Sequence, residues 1–479
     1  MSKPILLLIL SFFCFFSLSA QDCDCSSHFN WVKETFEQND AGFEYVLNQK
    51  GKQAYDDHTE RMRRKIESVK TLQECTPLLY EWLTFFRKGH IAIRLKNQNN
   101  VEQEKSDFSD WETYPVKLEE FKNYLDKDRT SDYEGIWISE PYTIGIRKEG
   151  AGYVGFIVES GTETWTKDQV KLKFSFSEKE VSGTIYMRDH SAAPIDHAEL
   201  TGKNHLQLGF FSLTRQYPIL KDEPKFEQHF KAIQANKPYL DQLDKSTLYL
   251  RIPSFDLSQK SLIDSVLHSN RKQITETKNL IIDIRYNGGG SDNSYSSLIE
   301  YLYTNPIRKV GMEFLSTPLN NQRMLDLIQK PESGFSEAMK EWFQKAYDKL
   351  QKHPGQFVNL DKEVVTLDER MKTHTFPENI GIIINQRCGS TTEQFLLEAK
   401  QSKKVKLFGV TTYGSLDLSN IYFVDAPCGE FQLGYSLSRS MRIPDFTIDG
   451  KGIQPDIYLD KSIPEYEWIP YVKDTMMEW

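Results

Sequence analysis

The chain holds 479 residues, with 59 lysines and arginines against 68 aspartates and glutamates and a formal net charge of −9. This mildly acidic balance gives no footprint for nucleic acid, and the length exceeds what one hydrophobic core fills, so several domains are expected. Beyond the first twenty residues no apolar stretch approaches the length of a membrane helix, and no membrane span is expected.

Residues 1–20 carry one cation at Lys3, an apolar run from Ile5 to Phe16 and a Ser-Leu-Ser-Ala end, which reads as a secretory signal cut before Gln21. The mature chain is therefore expected outside the cytoplasm, periplasmic or secreted. Gln21 and Asp22 stand before Cys23, so the sequence lacks the directly following cysteine that lipid anchoring needs. Removal of Cys14 with the signal leaves Cys23, Cys25, Cys75, Cys388 and Cys428. An exported chain can bridge such residues. The expected pairs are Cys75 with Cys23 or Cys25, and Cys388 with Cys428, although spacing alone derives neither. Cys23-Asp24-Cys25 has no matching second pair, so a zinc site is not expected.

Residues 21–105 show apolar positions at helical spacing (Phe29, Val32, Phe36, then Leu79, Leu83, Phe86) and read as an N-terminal helical domain that ends near His90. Residues 106–238 start with a linker helix near 118–125 and then alternate apolar and polar positions in short runs. Those runs predict an all-β module, a small barrel or sandwich, over about 133–217. Trp137 and Trp165 belong to its core or line a binding face. Residues 239–479 alternate strands (248–252, 280–284, 380–384) with helices (258–272, 291–303), the texture of an α/β core whose site lies at strand ends. A helical insert at about 318–352 carries Phe335, Met339, Trp342, Phe343 and Tyr347 on one face, to be buried or to cap a cleft as a lid. The aromatic tail beyond Ile463 is a packing or docking segment.

Two segments carry chemistry. Leu280-Ile281-Ile282-Asp283-Ile284-Arg285-Tyr286-Asn287-Gly288-Gly289-Gly290 is an apolar strand that breaks into three glycines, which lets bare backbone approach a ligand and offers amides for an oxyanion. Ile380 to Phe395 is again an apolar strand, a turn containing Cys388-Gly389-Ser390, and the start of a helix. Ser390 has two open readings there. It is an attacking hydroxyl beside the positive end of a helix, or an N-cap that forms a Ser-x-x-Glu capping box with Glu393.

Together, Asp283-x-Arg285-x-Asn287-x-Gly289-Gly290 and the later strand, small-residue turn and Ser-x-x-Glu resemble the S41 serine peptidases, the family of C-terminal processing proteases and the tricorn core. Two further elements extend the resemblance: Leu407-Phe408-Gly409-Val410-Thr411-Thr412-Tyr413-Gly414, and Asp449-Gly450-Lys451-Gly452-Ile453-Gln454-Pro455-Asp456. The resemblance implies Ser390 as nucleophile, with the Gly288 or Gly289 amide and the Thr391 amide as the oxyanion hole. Where the best-known branch has a lysine base after Thr-x-Gly, this sequence has Ser415, and a serine hydroxyl cannot serve as a base near neutral pH. Phe86-Arg87-Lys88-Gly89-His90 is similar to the Gly-His element of the tricorn-like branch, which implies His90 as base and Asp449 as the carboxylate that orients it. Lys451, between glycines, reads as a solvated loop charge. Asp283 and Arg285 read as scaffold. A PDZ domain occupies the middle of many relatives, but its carboxylate-binding loop is not seen here.

The expected fold class is multidomain α+β: an N-terminal helical domain, a central all-β module and a C-terminal S41-like (ClpP/crotonase-like) core. The expected activity is hydrolysis of a polypeptide through an acyl-enzyme, with no metal or organic cofactor. The competing reading is an inactive S41-like protein that binds a peptide or small ligand.

Overall fold

The computed structural model describes residues 23–96, 108, 110–177, 180–329, 335–361, 363–369 and 372–478. The expected signal segment and Cys14 lie outside the described residues. The chain folds as a multidomain α+β protein in which three sheets carry most of the architecture.

The core sheet has six strands in the order Tyr239–Asp244, Thr247–Arg251, Asn279–Asp283, Asn379–Ile384, Val405–Gly409 and Ile457–Tyr458. Its middle pairings are parallel and in register, with Ile282 opposite Ile382 and Ile382 opposite Leu407. These strands read as unbroken apolar runs because both faces are covered. One face packs on helices that include Lys260–Ser269 and Thr391–Ala399. The other packs on the tail helix Trp468–Met477 through Tyr249, Ile281, Ile383, Phe408, Val472 and Met476. The aromatic tail is thus a packing segment. Gly381 makes this possible, since a Cβ there would lie 2.8 Å from the Met476 sulfur and 2.9 Å from Val472.

The second sheet is built around the long strand Phe431–Ser440, which pairs with Ala92–Leu95, Leu418–Asp425 and Met312–Leu315, the last pairing in turn with Phe357–Asn359. The helices Cys25–Asn39, Lys52–Ile66 and Leu72–Thr84 lie on it. Phe29, Val32, Phe36, Leu79 and Trp82 share one apolar cluster with Phe431, Leu433, Tyr435 and Leu437. Burying each such side chain stabilises the fold by about 1.5–3 kcal/mol, so the helical front is welded to a strand some 350 residues later (roughly, from the register of Ala92 with Gly434).

The module that follows is one antiparallel sheet of nine strands. Its inward residues from both ends, Ile185 and Ile195 with Leu206, Leu208 and Leu213, meet around Trp137 and Trp165, so the sheet curls on itself. Both tryptophans are buried core residues.

The single helix expected at 291–303 does not form. A 3-10 turn at Asp292–Ser294 and one helical turn at Ile299–Leu302 replace it. The reason is local: Ser294 donates to the Asp256 carbonyl, Ser296 to the Asn293 carbonyl and Ser297 to Asp264, and short polar side chains that bond nearby groups compete with a helix. The insert is a pair of helices, Pro318–Gln329 and Glu337–Leu350. Asn320 docks the first against the helical front by donating to the Asn39 carbonyl at 2.8 Å.

Candidate active site

Strand Asn379–Ile384 ends between two parallel neighbours, the place where open α/β sheets hold ligands. The chain then turns through Cys388 and Gly389 and enters helix Thr391–Ala399 at Ser390, whose φ of 55° and ψ of −125° lie outside ordinary L-residue territory. Holding such a residue costs on the order of 1–3 kcal/mol and needs support from its surroundings. The Ser390 N–H donates to the Ser415 carbonyl at 3.1 Å and to Glu393 at 3.2 Å. The fully buried Glu393 carboxylate also accepts from Thr412 Oγ1 (2.5 Å), Gly414 N (2.7 Å) and Ser415 N (2.8 Å). Burial raises its pKa, and the four donors oppose that shift. Glu393 therefore supplies its half of the capping box and clamps the 412–415 turn as well. The Ser390 hydroxyl lies 3.1 Å from His90 Nε2.

The glycine strand end is stitched to this turn by two asparagines that the sequence analysis left without a role. Buried Asn287 accepts on its side-chain oxygen from Phe255 N, Gly289 N and Thr392 Oγ1, and buried Asn385 accepts from Tyr286 N and Arg387 N. A Cβ on Gly289 (φ 107°) would sit 2.8 Å from the Gly389 oxygen and 2.9 Å from both Ser390 Cβ and Thr391 N, so only glycine permits this approach. One expectation is corrected here. The Gly289 amide is committed to Asn287 at 3.1 Å and is not an oxyanion donor. The amides of Gly288 and Thr391 have no acceptor among the described residues.

His90 reaches the site from the turn between helix Leu72–Thr84 and strand Ala92–Leu95, itself at a positive φ of 52°. Desolvation, with the Arg87 charge second, lowers its pKa to about 4, against weaker raising effects of the Leu418 backbone and Asp40. The ring is thus neutral at neutral pH, the state a proton acceptor requires. The preceding Gly89 lies against Ser415: a Cβ built on Gly89 would be 2.4 Å from Ser415 Cβ. The position where the resemblance implies lysine in other branches is here the floor beneath the histidine turn.

Asp449 does not meet His90, a second correction. Its oxygens accept the backbone amides of Leu416 (2.5 Å), Asp417 (2.7 Å) and Leu418 (3.2 Å). Asp417 answers by accepting from Ile448 N and Asp449 N. A carboxylate one methylene shorter than glutamate is spent on this loop. Burial and the Asp417 charge raise the pKa of Asp449 to about 6. His90 Nδ1 completes no hydrogen bond of ordinary geometry, although the Leu418 backbone is close enough to favour the protonated ring. Lys451 is exposed on the neighbouring loop.

Cys388 is not bridged to Cys428. Cys428, on the hairpin turn before Phe431–Ser440, pairs with Cys23, and Cys25 pairs with Cys75. Cys388 is a free, fully buried thiol in the turn that leads to Ser390, bonded to the Ile284 carbonyl at 3.1 Å, with burial as the largest cause pushing its pKa up to about 12. Asp283 and Arg285 form a fully buried pair at 2.7 Å below the site, with Tyr249 donating to Asp283. They are scaffold.

Ser390 and His90 open onto a cleft of about 710 Å³. Its far wall is the insert, through Leu327, Phe335, Met339, Trp342 and Phe343. Among the described residues no group of three His, Cys, Asp or Glu side chains is placed to hold a metal ion.

A serine on a strained strand-to-helix elbow, bonded to an imidazole and facing an apolar cleft, has the form of a serine hydrolase site. Residues 246–459, which hold all of the core sheet but its first strand, match the model of peptidase family S41. A family S41 peptidase is a hydrolase of polypeptides. No curated protein matches the chain. Among solved structures, mature CPAF superposes with a TM-score of 0.52 at 10% identity, covering 94% of this chain and 96% of that one. Mature CPAF complexed with lactacystin gives 0.52 at 11%, covering 94% and 97%. At such identity the likeness speaks for the fold alone. The photosystem II D1 C-terminal processing protease reaches only 0.37 at 10% identity, covering 92% and 95%, and bears no weight.

Proposed function

We propose that this protein is an exported serine peptidase that cleaves peptide bonds through an acyl-enzyme on Ser390, with His90 as its general base. The observation that carries this reading is the 3.1 Å contact between Ser390 Oγ and His90 Nε2 across 300 positions of sequence, made by two residues both held at positive φ. His90 takes the hydroxyl proton as Oγ attacks the carbonyl carbon, and returns it to the leaving amine. Water then repeats the cycle on the ester. The Gly288 and Thr391 amides receive the developing oxyanion, aided by the N-terminus of helix Thr391–Ala399. Asp449 contributes by fixing the backbone of Leu416–Leu418 beside the ring, without taking the imidazole proton itself. Two disulfides among the described residues favour an oxidising compartment. No helix among the described residues is long and apolar enough to cross a membrane.

A fluorophosphonate probe tests the proposal. Labelling of the folded protein that vanishes in Ser390→Ala and falls at least about a hundredfold in His90→Ala is expected, since general base catalysis supplies about 10²–10⁴. No labelling of folded protein would refute the peptidase reading and favour a ligand-binding S41-like protein.

A further inference from the structure

We infer that the buried Asp40–Arg87 pair is a positioning device for the base: it sets the place of the His90 ring by gripping the backbone on either side of it. This rests on the reading of His90 as base.

Arg87 and Asp40 are nearly inaccessible, with side-chain exposures of 7% and 0%. The guanidinium forks onto Asp40, Nη1 at 2.8 Å from Oδ1 and Nη2 on Oδ2. Its remaining donors go to the turn that carries the base: Nε to the Gly89 carbonyl at 3.1 Å and Nη2 to the His90 carbonyl at 3.2 Å. Nη2 also reaches Ser436 Oγ at 2.9 Å, and that hydroxyl points to the same His90 carbonyl at 3.4 Å. Asp40 in turn accepts the amides of Gly42 (2.9 Å) and Ser436 (3.0 Å). Three elements therefore converge on one ion pair: the end of helix Cys25–Asn39, the turn after helix Leu72–Thr84, and the central strand Phe431–Ser440. A histidine at positive φ relaxes unless its two peptide carbonyls are held, and the planar fork of arginine holds both while staying charge-neutralised.

The pair also sets the field at the ring. Arg87 disfavours the imidazolium and Asp40 favours it. The other groups that face the ring are the Ser390 hydroxyl from the nucleophile turn and the Leu418 backbone, with Asp449 and Asp417 behind it. Removing one member of the pair thus moves the base in a direction opposite to removing the other. A purely structural role would not produce that.

The experiment compares Asp40→Asn, Arg87→Met, Arg87→Lys and Ser436→Ala in the full chain. The readouts are fluorophosphonate labelling rate against pH, kcat and KM on a peptide substrate, and circular dichroism to certify folding. Arg87→Met is expected to raise the acid midpoint of the labelling profile and Asp40→Asn to lower it. Arg87→Lys, which keeps the charge and loses the fork, is expected to keep the midpoint near the parent's while kcat falls about 10–100-fold with KM changed only a few-fold. Ser436→Ala, the mildest change, should lose several-fold in kcat. Should Arg87→Met fail to fold, the sign of the Asp40→Asn shift and the Arg87→Lys kcat decide. Parent-like rates and midpoints in the folded variants overturn the inference. If the parent itself is not labelled, or His90→Ala labels like the parent, it is the function reading that fails. In that case the pair is tested by the His90 ring titration followed by NMR, where shifts of the same sign in Asp40→Asn and Arg87→Met overturn it.

Discussion

Replacing Gly89 by alanine should disable the site through geometry, and the size of the effect can be worked from one contact. The glycine's φ lies outside the left-handed region, so alanine meets no backbone penalty, yet its Cβ would stand 2.4 Å from Ser415 Cβ. Carbon atoms settle about 3.5–4.0 Å apart, so the Gly89–His90 turn and the Ser415 turn must separate by about 1 Å. A 1 Å misplacement of a catalytic group costs about 10²-fold in rate, which is about 2.7 kcal/mol of barrier, on top of about 1–3 kcal/mol of overpacking strain in stability. Ser415→Gly deletes both Ser415 atoms in conflict, after which the next contact is Tyr413 Cε1 at 3.5 Å, an ordinary distance. The double variant Gly89→Ala with Ser415→Gly should then recover to within a few-fold of Ser415→Gly alone. The assay is a double-mutant cycle on kcat/KM, with an expected coupling of about 2–3 kcal/mol. Full activity in Gly89→Ala, or a loss that Ser415→Gly does not relieve, would refute the packing argument.

Arg285→Met removes one member of a fully buried ion pair and leaves Asp283 charged in the core, so stability should fall by about 3–5 kcal/mol, read as a lower urea midpoint with an unchanged slope. Thiol titration of the chain from Cys23 onward, without reductant, should detect no reactive thiol in the folded state and one, Cys388, after denaturation. Two or more would contradict the observed pairing.

What could be read from the chain was whatever is written locally. The apolar run 280–284 and the run 380–384 each end in small residues, and both became neighbouring parallel strands with turns at one edge. Ser390 stood out locally, at a strand-to-helix turn, whereas His90 stood out because its flanking motif resembled a known family; nothing in their spacing brings together groups 300 positions apart. Asp449 misled because a carboxylate next to Gly450 looks the same in sequence whether it faces a ring or a row of amides. Asp40, Arg87 and Ser436 were silent for a related reason: they meet across 47 and 349 positions of sequence, and their other partners are backbone carbonyls and amides, which every residue has. The disulfides could not be read because connectivity depends on where the 428 hairpin folds back, and the 291–303 helix failed because its serines found nearer partners than the next helical turn.

Among the described residues the strand Ala92–Leu95, which follows His90, has its one ladder partner in Phe431–Ser440, and Cys23 waits for Cys428. If Ser390 and His90 act as proposed, their meeting depends on a strand made after both of them, so a growing polypeptide cannot secure the pair until Phe431–Ser440 has emerged. Just before that strand lies Cys428, whose bridge to Cys23 spans 405 positions and ties the helical front to the strand that seats it.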